Sequence, residues 1–239
     1  AVPTIAPQYT VFGNHWGDFD ESVEWASTLL IFPFQYYEHY GDNSLIMGSY
    51  DAMRRYVDYL ATRADAEGII HFGLGDWYDY QANAAAGFSK NTPVPLVGTA
   101  HYIYDLQLMV RAAEMRKAQA EGAERREAAL HLTLYKDRLA KAVAQFNRKF
   151  LNADSCFYGN NSQCSNALPL FLGICPKDKE EAVYKHLIAD VMKSGKPRLT
   201  TGDVGNRYLI QAIAARGDNR LVYDMFNHYE TPGYGYQMT

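Results

Sequence analysis

The chain has 239 residues, a formal net charge of −4, and 48% hydrophobic against 21% charged side chains. This is the make-up of an ordinary globular chain with a sizeable core, and it offers no basic footprint for nucleic acid and no polybasic patch for a membrane. No apolar run approaches a membrane span, and the opening AVPTIAPQYT lacks the basic-then-apolar order of an intact signal peptide.

Helical segments separated by short punctuation follow in chain order. Residues 21–40 carry Val23, Leu29, Leu30, Phe34, Tyr37 and Tyr40, with Pro33 expected to kink the middle. Gly41 suits the left-handed position after a helix, and Asn43 an N-cap for the next. That helix places Leu45, Ile46, Tyr50, Met53, Tyr56, Val57 and Leu60 on one face. Residues 67–92 break the pattern with Gly, Asn and aromatics, and a connection of that length in a compact domain points to function.

Helical periodicity returns over 94–118 and 123–150, the latter predicting an inner face of Leu130, Leu134, Val143, Phe146 and Phe150. A Gly/Asn loop at 152–162 leads into an apolar segment, Ala167 to Ile174. Pro176 sits where a first helical residue belongs, with Lys193 in the last turn and Gly195 as the stop. Asp203 is the expected cap of the next helix, to about Arg216, and a final helix spans 219–228. Gly41-Asp42-Asn43-Ser44-Leu45 is echoed by Gly217-Asp218-Asn219-Arg220-Leu221, each at a junction between helices. No segment alternates at period two. The expected fold is all-α, an array of helical hairpins whose long loops gather at one end.

Several chemistries find no support. The seven His form no zinc spacing, there is no G-x-S-x-G elbow, and Gly73 and Gly75 follow no strand, so metal, acyl-transfer and dinucleotide chemistry are not expected. No cofactor and no metal ligand is assigned. Asp18, Asp20 and Glu21 suit either Ca²⁺ or, more simply, a helix N-terminus. The three cysteines, Cys156, Cys164 and Cys175, cannot all pair; Cys156 and Cys164 either close a small disulfide or stay thiols. The compartment stays open, a secreted or periplasmic location being set ahead of a cytoplasmic one. What remains is aromatics beside carboxylates in loops. Trp77 lies in Gly75-Asp76-Trp77-Tyr78-Asp79-Tyr80, and Trp25 lies beside Glu24. An indole offers a flat apolar face to the C–H face of a pyranose, and carboxylates accept from sugar hydroxyls. Core packing is an equal reading for Trp25. The 19 Tyr fit either helix packing or a sugar cleft.

These residues resemble a known family. WASTLLIFPFQYYEHYGD (25–42), GLGDWYDY (73–80), NTPVPLVGTAHYIYDLQLM (91–109), SNALPLFLGI (165–174), LTTGDVGNRYLIQAIA (199–214) and PGYGYQM (232–238) are similar, in order, to the family 78 α-L-rhamnosidases. The resemblance implies an (α/α)6 toroid, present here as a single segment over 1–239 that is incomplete, hydrolysing terminal α-L-rhamnosyl bonds with inversion. Trp25 and Trp77 would then cradle the sugar. Asp76, Tyr78, Asp79, Asn166, Asp203 and Asn206 would contact the substrate or hold its loops. Where many members carry Gly-Asp after the first Trp, this chain has Ala26-Ser27. The family's general acid belongs upstream of Trp25 and its general base shortly after the G-Y-G-Y-Q segment, so both are expected outside these residues and no catalytic pair is assigned. A rhamnoside is the expected partner, with the remaining parts of a parent chain; a non-catalytic carbohydrate-binding unit, an inactive fragment, or a helical glycosidase for another sugar are the alternatives.

Overall fold

A computed structural model describes residues 2–8, 19–81, 85, 87–230 and 233–238. Helices dominate: α1 (Val23–Ala26), α2 (Thr28–Tyr40), α3 (Ser44–Arg63), α4 (Val94–Gln119), α5 (Gly122–Phe150), α6 (Gln163–Phe171), α7 (Glu180–Val191), α8 (Gly205–Ala214) and α9 (Asn219–Phe226). Among the described residues the only sheet pairs β1 (Leu151–Asn152) antiparallel to β2 (Phe157–Tyr158), with Leu151 opposite Tyr158. No described helix is long and apolar enough to cross a membrane. The chain forms two compact units, Ala1–Gly73 with Gly98–Phe146, and Leu74–Val97 with Asn147–Thr239.

In the first unit α2 packs along α3. The break in the first helical stretch falls at Ser27, between α1 and α2, while helix continues through Pro33. Ser27 Oγ bonds the Val23 carbonyl and Asp105 Oδ2, both at 2.8 Å, giving the backbone an alternative to an unbroken ladder. A carboxylate thus stands against residue 27 after all, although it arrives from α4. Asp105 is fully buried, and that burial pushes its carboxyl well above the usual range. Gly41 closes α2 with φ 70°. The expected Asn43 cap is not made; Asp42 accepts the Ser44 amide at 2.8 Å instead. Ile46, Tyr50, Met53, Tyr56, Val57 and Leu60 are buried as expected, whereas Leu45 is exposed. Glu21 pairs with Arg63 and Tyr59, and Asp20 accepts Gln8; Asp18 lies outside the described residues.

Helix α5 keeps Phe146 of the predicted face inside and corrects its two leucines. Leu130 is 72% exposed and Leu134 40% exposed, while Ala128, Tyr135, Ala142 and Phe146 are buried. The register is fixed by polar partners of unit one: Tyr50 Oη lies 3.1 Å from His131 Nδ1, and Arg138 reaches Asp58 at 2.5 Å. Those contacts turn Tyr135 inward and the leucines out.

In the second unit α6 packs on α7 and α8, and α8 on α9. Leu187, Val191, Leu209, Ile213 and Met225 form the centre of its core. Pro176 does not open α7; its carbonyl accepts from Lys179 and Glu180 in a preceding turn, and the helix begins at Glu180. The three cysteines are free thiols. The two similar junctions share a left-handed glycine, Gly41 at φ 70° and Gly217 at φ 82°. Their aspartates differ: Asp42 serves its own helix, while Asp218 accepts the Tyr184 hydroxyl. Phe146→Ala is expected to cost about 3–5 kcal/mol and Leu130→Ala less than about 0.5 kcal/mol in urea unfolding, although the pattern sets both on the inner face.

Candidate functional site

The Gly75–Tyr80 run belongs to the second unit, and its conformation is set by two buried aspartates. The Asp79 side chain is wholly buried and accepts the Lys90 amide at 2.7 Å, the Asn91 amide at 2.5 Å and Ser89 Oγ at 3.3 Å. Lys90 Nζ lies 3.8 Å away. This ties the two limbs of the loop together across eleven residues. Gly75 has φ 68°, and a Cβ there would stand 2.8 Å from Ser89 Cβ, so the tight turn requires glycine.

Asp76 does work expected of Asp203. Helix α8 has no side-chain cap from its neighbours. Asp76 Oδ1, from 129 positions earlier, accepts the Gly205 amide at 2.7 Å. A carboxyl group there meets both the unpaired amides and the positive end of the helix dipole. Asp203 is exposed, and its own amide donates to the Trp77 carbonyl at 2.7 Å. Tyr80 N donates to the Thr200 carbonyl at 3.0 Å, making a second tie between loop and turn. A Cβ on Gly202 would fall inside contact distance of the Trp77 carbonyl and 2.6 Å from the Asp79 amide nitrogen, so backbone meets backbone here without room for a side chain. Burial raises the Asp76 carboxyl to about 6; the Gly202 and Gly205 amides and the Cys164 thiol oppose that rise, and the Asp79 charge adds to it. Cys164 is itself held protonated by burial, so it is a packing residue and not a nucleophile.

With the carboxylates turned inward, the aromatics remain outside. Trp77 is half-buried, its ring meeting the edge of Phe88 at 5.2 Å and of Tyr78 at 5.3 Å. Gly87, at φ 118°, lies near that indole: a Cβ there would stand 3.6 Å from Cη2. Tyr78 is 53% exposed and holds φ 62°, an outlier for a bulky residue, with its amide donating to the Gly87 carbonyl. Asn166 is fully buried, and both ends are committed: Oδ1 accepts the Tyr158 amide at 2.9 Å and Nδ2 donates to Asn161 at 2.8 Å. It holds β2 and the turn that follows it to α6. Asn206 differs, because its Oδ1 is buried without a hydrogen-bond partner, as is Thr201 Oγ1. Trp25, in the first unit, is half-buried and lines an apolar groove of about 510 Å³ with Leu29, Phe32 and Pro33.

The second unit also holds an open cavity of about 720 Å³ bordered by Tyr80, Lys90, Asn161, Asp190 and Arg198. Apart from Tyr80, which stands in the aromatic run, nothing in the local sequence distinguished these residues, because they come from four separate segments. Among the described residues no three His, Cys, Asp or Glu side chains group to hold a metal ion.

The chain belongs to the bacterial alpha-L-rhamnosidase six-hairpin glycosidase domain family, matched over residues 1–239. It is 26% identical over 221 residues to an alpha-L-rhamnosidase of Formosa agariphila, covering 90% of this chain and 22% of that protein. It spans about a fifth of the length of the curated relatives it matches. The fold is similar to an alpha-L-rhamnosidase from Dictyoglumus thermophilum, with TM-score 0.80, 24% identity, and coverage of 94% of this chain and 24% of that one. A Streptomyces avermitilis alpha-L-rhamnosidase complexed with L-rhamnose gives TM-score 0.75 at 20% identity, covering 90% and 19%. The all-helical, six-hairpin fold expected from the sequence is borne out.

Two predictions follow the aspartate geometry. Because the folded Asp76 carboxyl titrates near 6 against an ordinary 3.8, its contribution to stability is full below the ordinary value and is lost as pH rises through 6. That contribution is at most about 3 kcal/mol. Asp76→Asn keeps the acceptor for Gly205 and is expected to flatten the fall in unfolding free energy between pH 4 and pH 7; an unchanged slope would exclude Asp76 as its source. Gly202→Ala is expected to cost at least about 2–3 kcal/mol, with a shifted Trp emission, since backbone must move on both sides.

Proposed function

We propose that this chain is the sugar-holding part of a glycoside hydrolase that removes terminal α-L-rhamnosyl residues with inversion. The observation that carries the reading is the pair of half-buried Trp77 and exposed Tyr78, on a loop locked by the buried Asp76 and Asp79, within a chain that belongs to this family throughout. A 6-deoxy sugar presents a methyl group and C–H faces, which suit an indole more than they suit another carboxylate. Tyr78 held against its backbone preference supports the same role, since strain of that kind persists where a side chain must be aimed. Asn206 Oδ1 is buried with its accepting capacity unused. Asp203 is exposed beside the Trp77 carbonyl and can accept a sugar hydroxyl. Asp76, Asp79 and Asn166 serve the substrate indirectly, by fixing the loops.

Inversion requires one carboxylic acid to protonate the leaving oxygen and one carboxylate to activate water, about 6.5–9.5 Å apart. Asp76 and Asp79 are committed to amides and Asp105 is sealed in the first unit, so none of them is assigned either role. In this reading the pair comes from the family's flanking motifs. The test is hydrolysis of an aryl α-L-rhamnoside by the 239-residue chain and by a form extended at both ends. Activity in the extended form alone is expected, and Trp77→Ala in that form should lose about 1–3 kcal/mol of transition-state binding, by analogy with other aromatic stacking. Activity in the short chain would move the acid and base into these residues, and inactivity of both forms would overturn the enzyme reading.

A further inference from the structure

We infer that Asp105 carries a proton in the folded chain and donates it to Ser27, which makes it a proton-dependent positioning residue for the α1–α2 junction and for Trp25, two residues before Ser27. This concerns the first unit alone and stands or falls apart from the proposed function. Ser27 Oγ lies 2.8 Å from the Val23 carbonyl and 2.8 Å from Asp105 Oδ2. A serine hydroxyl has one proton to give and two lone pairs to receive. With Asp105 ionised, that one proton would have to serve both acceptors. One pair of oxygens would then sit at hydrogen-bond distance without a full proton between them. With Asp105 protonated, its O–H donates to Ser27, and the Ser27 O–H donates to Val23. The Tyr56 hydroxyl, which also bonds Ser27, fills the remaining lone pair. Every contact of Ser27 then has its own proton.

The surroundings point to the same state. Asp105 is fully buried, and its Oδ1 has no hydrogen-bond partner. A charge there would have one shared proton on one oxygen and none on the other, an arrangement that proteins avoid by keeping the acid neutral. Burial raises its carboxyl, and the Ser27 hydroxyl lowers it. Tyr56 of α3 feels Asp105 together with Glu24 and Glu21. Tyr102, on α4 itself, feels Asp105, Asp58 and Arg138, and Arg138 is held by Asp58 at 2.5 Å. Glu24 has its own donor, Ser22 Oγ at 2.5 Å. His101, four residues before Asp105 on α4, is buried as well. Loss of the Asp105 proton leaves a sealed charge at the junction, and the junction must then open to water.

Carbon-13 NMR of the 239-residue chain, labelled at aspartate, tests this. One side-chain carboxyl should keep its protonated shift at pH 7, where Asp76, near 6, has ionised, and that signal should be absent from Asp105→Asn. The Trp25 indole N–H signal, identified by its loss in Trp25→Phe, should move over the pH range in which that carboxyl ionises. Asp105→Asn should abolish the movement. Its amide keeps a neutral donor to Ser27, so the variant should fold with its urea midpoint at pH 7 unchanged. Relative to it, the wild-type folding equilibrium should fall about tenfold per pH unit above about 4 until Asp105 ionises. Ser27→Ala removes the acceptor and should shift the Trp25 signal even where Asp105 keeps its proton. A folded chain with every aspartate ionised at pH 7 would overturn the inference. So would a Trp25 signal that titrates as before in Asp105→Asn, a Trp25 signal untouched by Ser27→Ala, or an Asp105→Asn chain that does not fold.

Discussion

The second unit depends on one contact, the acceptance of the Gly205 amide by Asp76. The first turn of α8 has no local cap, and the aromatic loop has no regular secondary structure of its own. Each supplies what the other lacks. The loop brings a carboxyl oxygen to unpaired amides, and the helix gives the loop a fixed point. Gly202 then lets the two backbones close to contact, and the Asp203 amide fastens the Trp77 carbonyl. The position of the indole is therefore a property of α8 as much as of the loop that carries it.

Burying a carboxyl group in this way is costly, as its raised pKa records. Asp105 in the first unit is the parallel case, bonded to Ser27 Oγ where α1 gives way to α2. In both places a buried acid sits at an irregularity of the backbone. The contrast with Asp79 is informative: three donors and a nearby lysine surround it, and it binds two consecutive amides. Asp76 has the Gly202 and Gly205 amides and the Cys164 thiol, yet its burial outweighs them, so its cost varies with pH.

The sequence made the helices legible wherever hydrophobic period and glycine stops agreed, as in α3 with Ile46, Tyr50, Met53 and Leu60. It also made the aromatic loop legible as a unit. It misled where the decisive partner was remote. Leucines at 130 and 134 read as an inner face, yet His131 and Arg138, meeting Tyr50 and Asp58 of α3, turn the helix the other way. Asp203 looked like a cap by position, while the actual cap comes from 129 residues away, a separation no local rule can span. The carboxylates of the aromatic run were legible as functional, but burial decides that they face the protein and that only the rings face out. The cavity beside Tyr80 was invisible because its walls are assembled from segments with no shared signal.

Asp79 also bears on how the platform comes into being. Its acceptors are filled by Ser89, Lys90 and Asn91, so the loop is a closed ring and not an open strap. A ring of this kind closes in one step, because the Asp79 carboxylate gains none of these three hydrogen bonds until the second limb arrives. The Trp77 surface is therefore expected to appear and vanish as a single cooperative step, so that the chain presents either the complete aromatic surface or none.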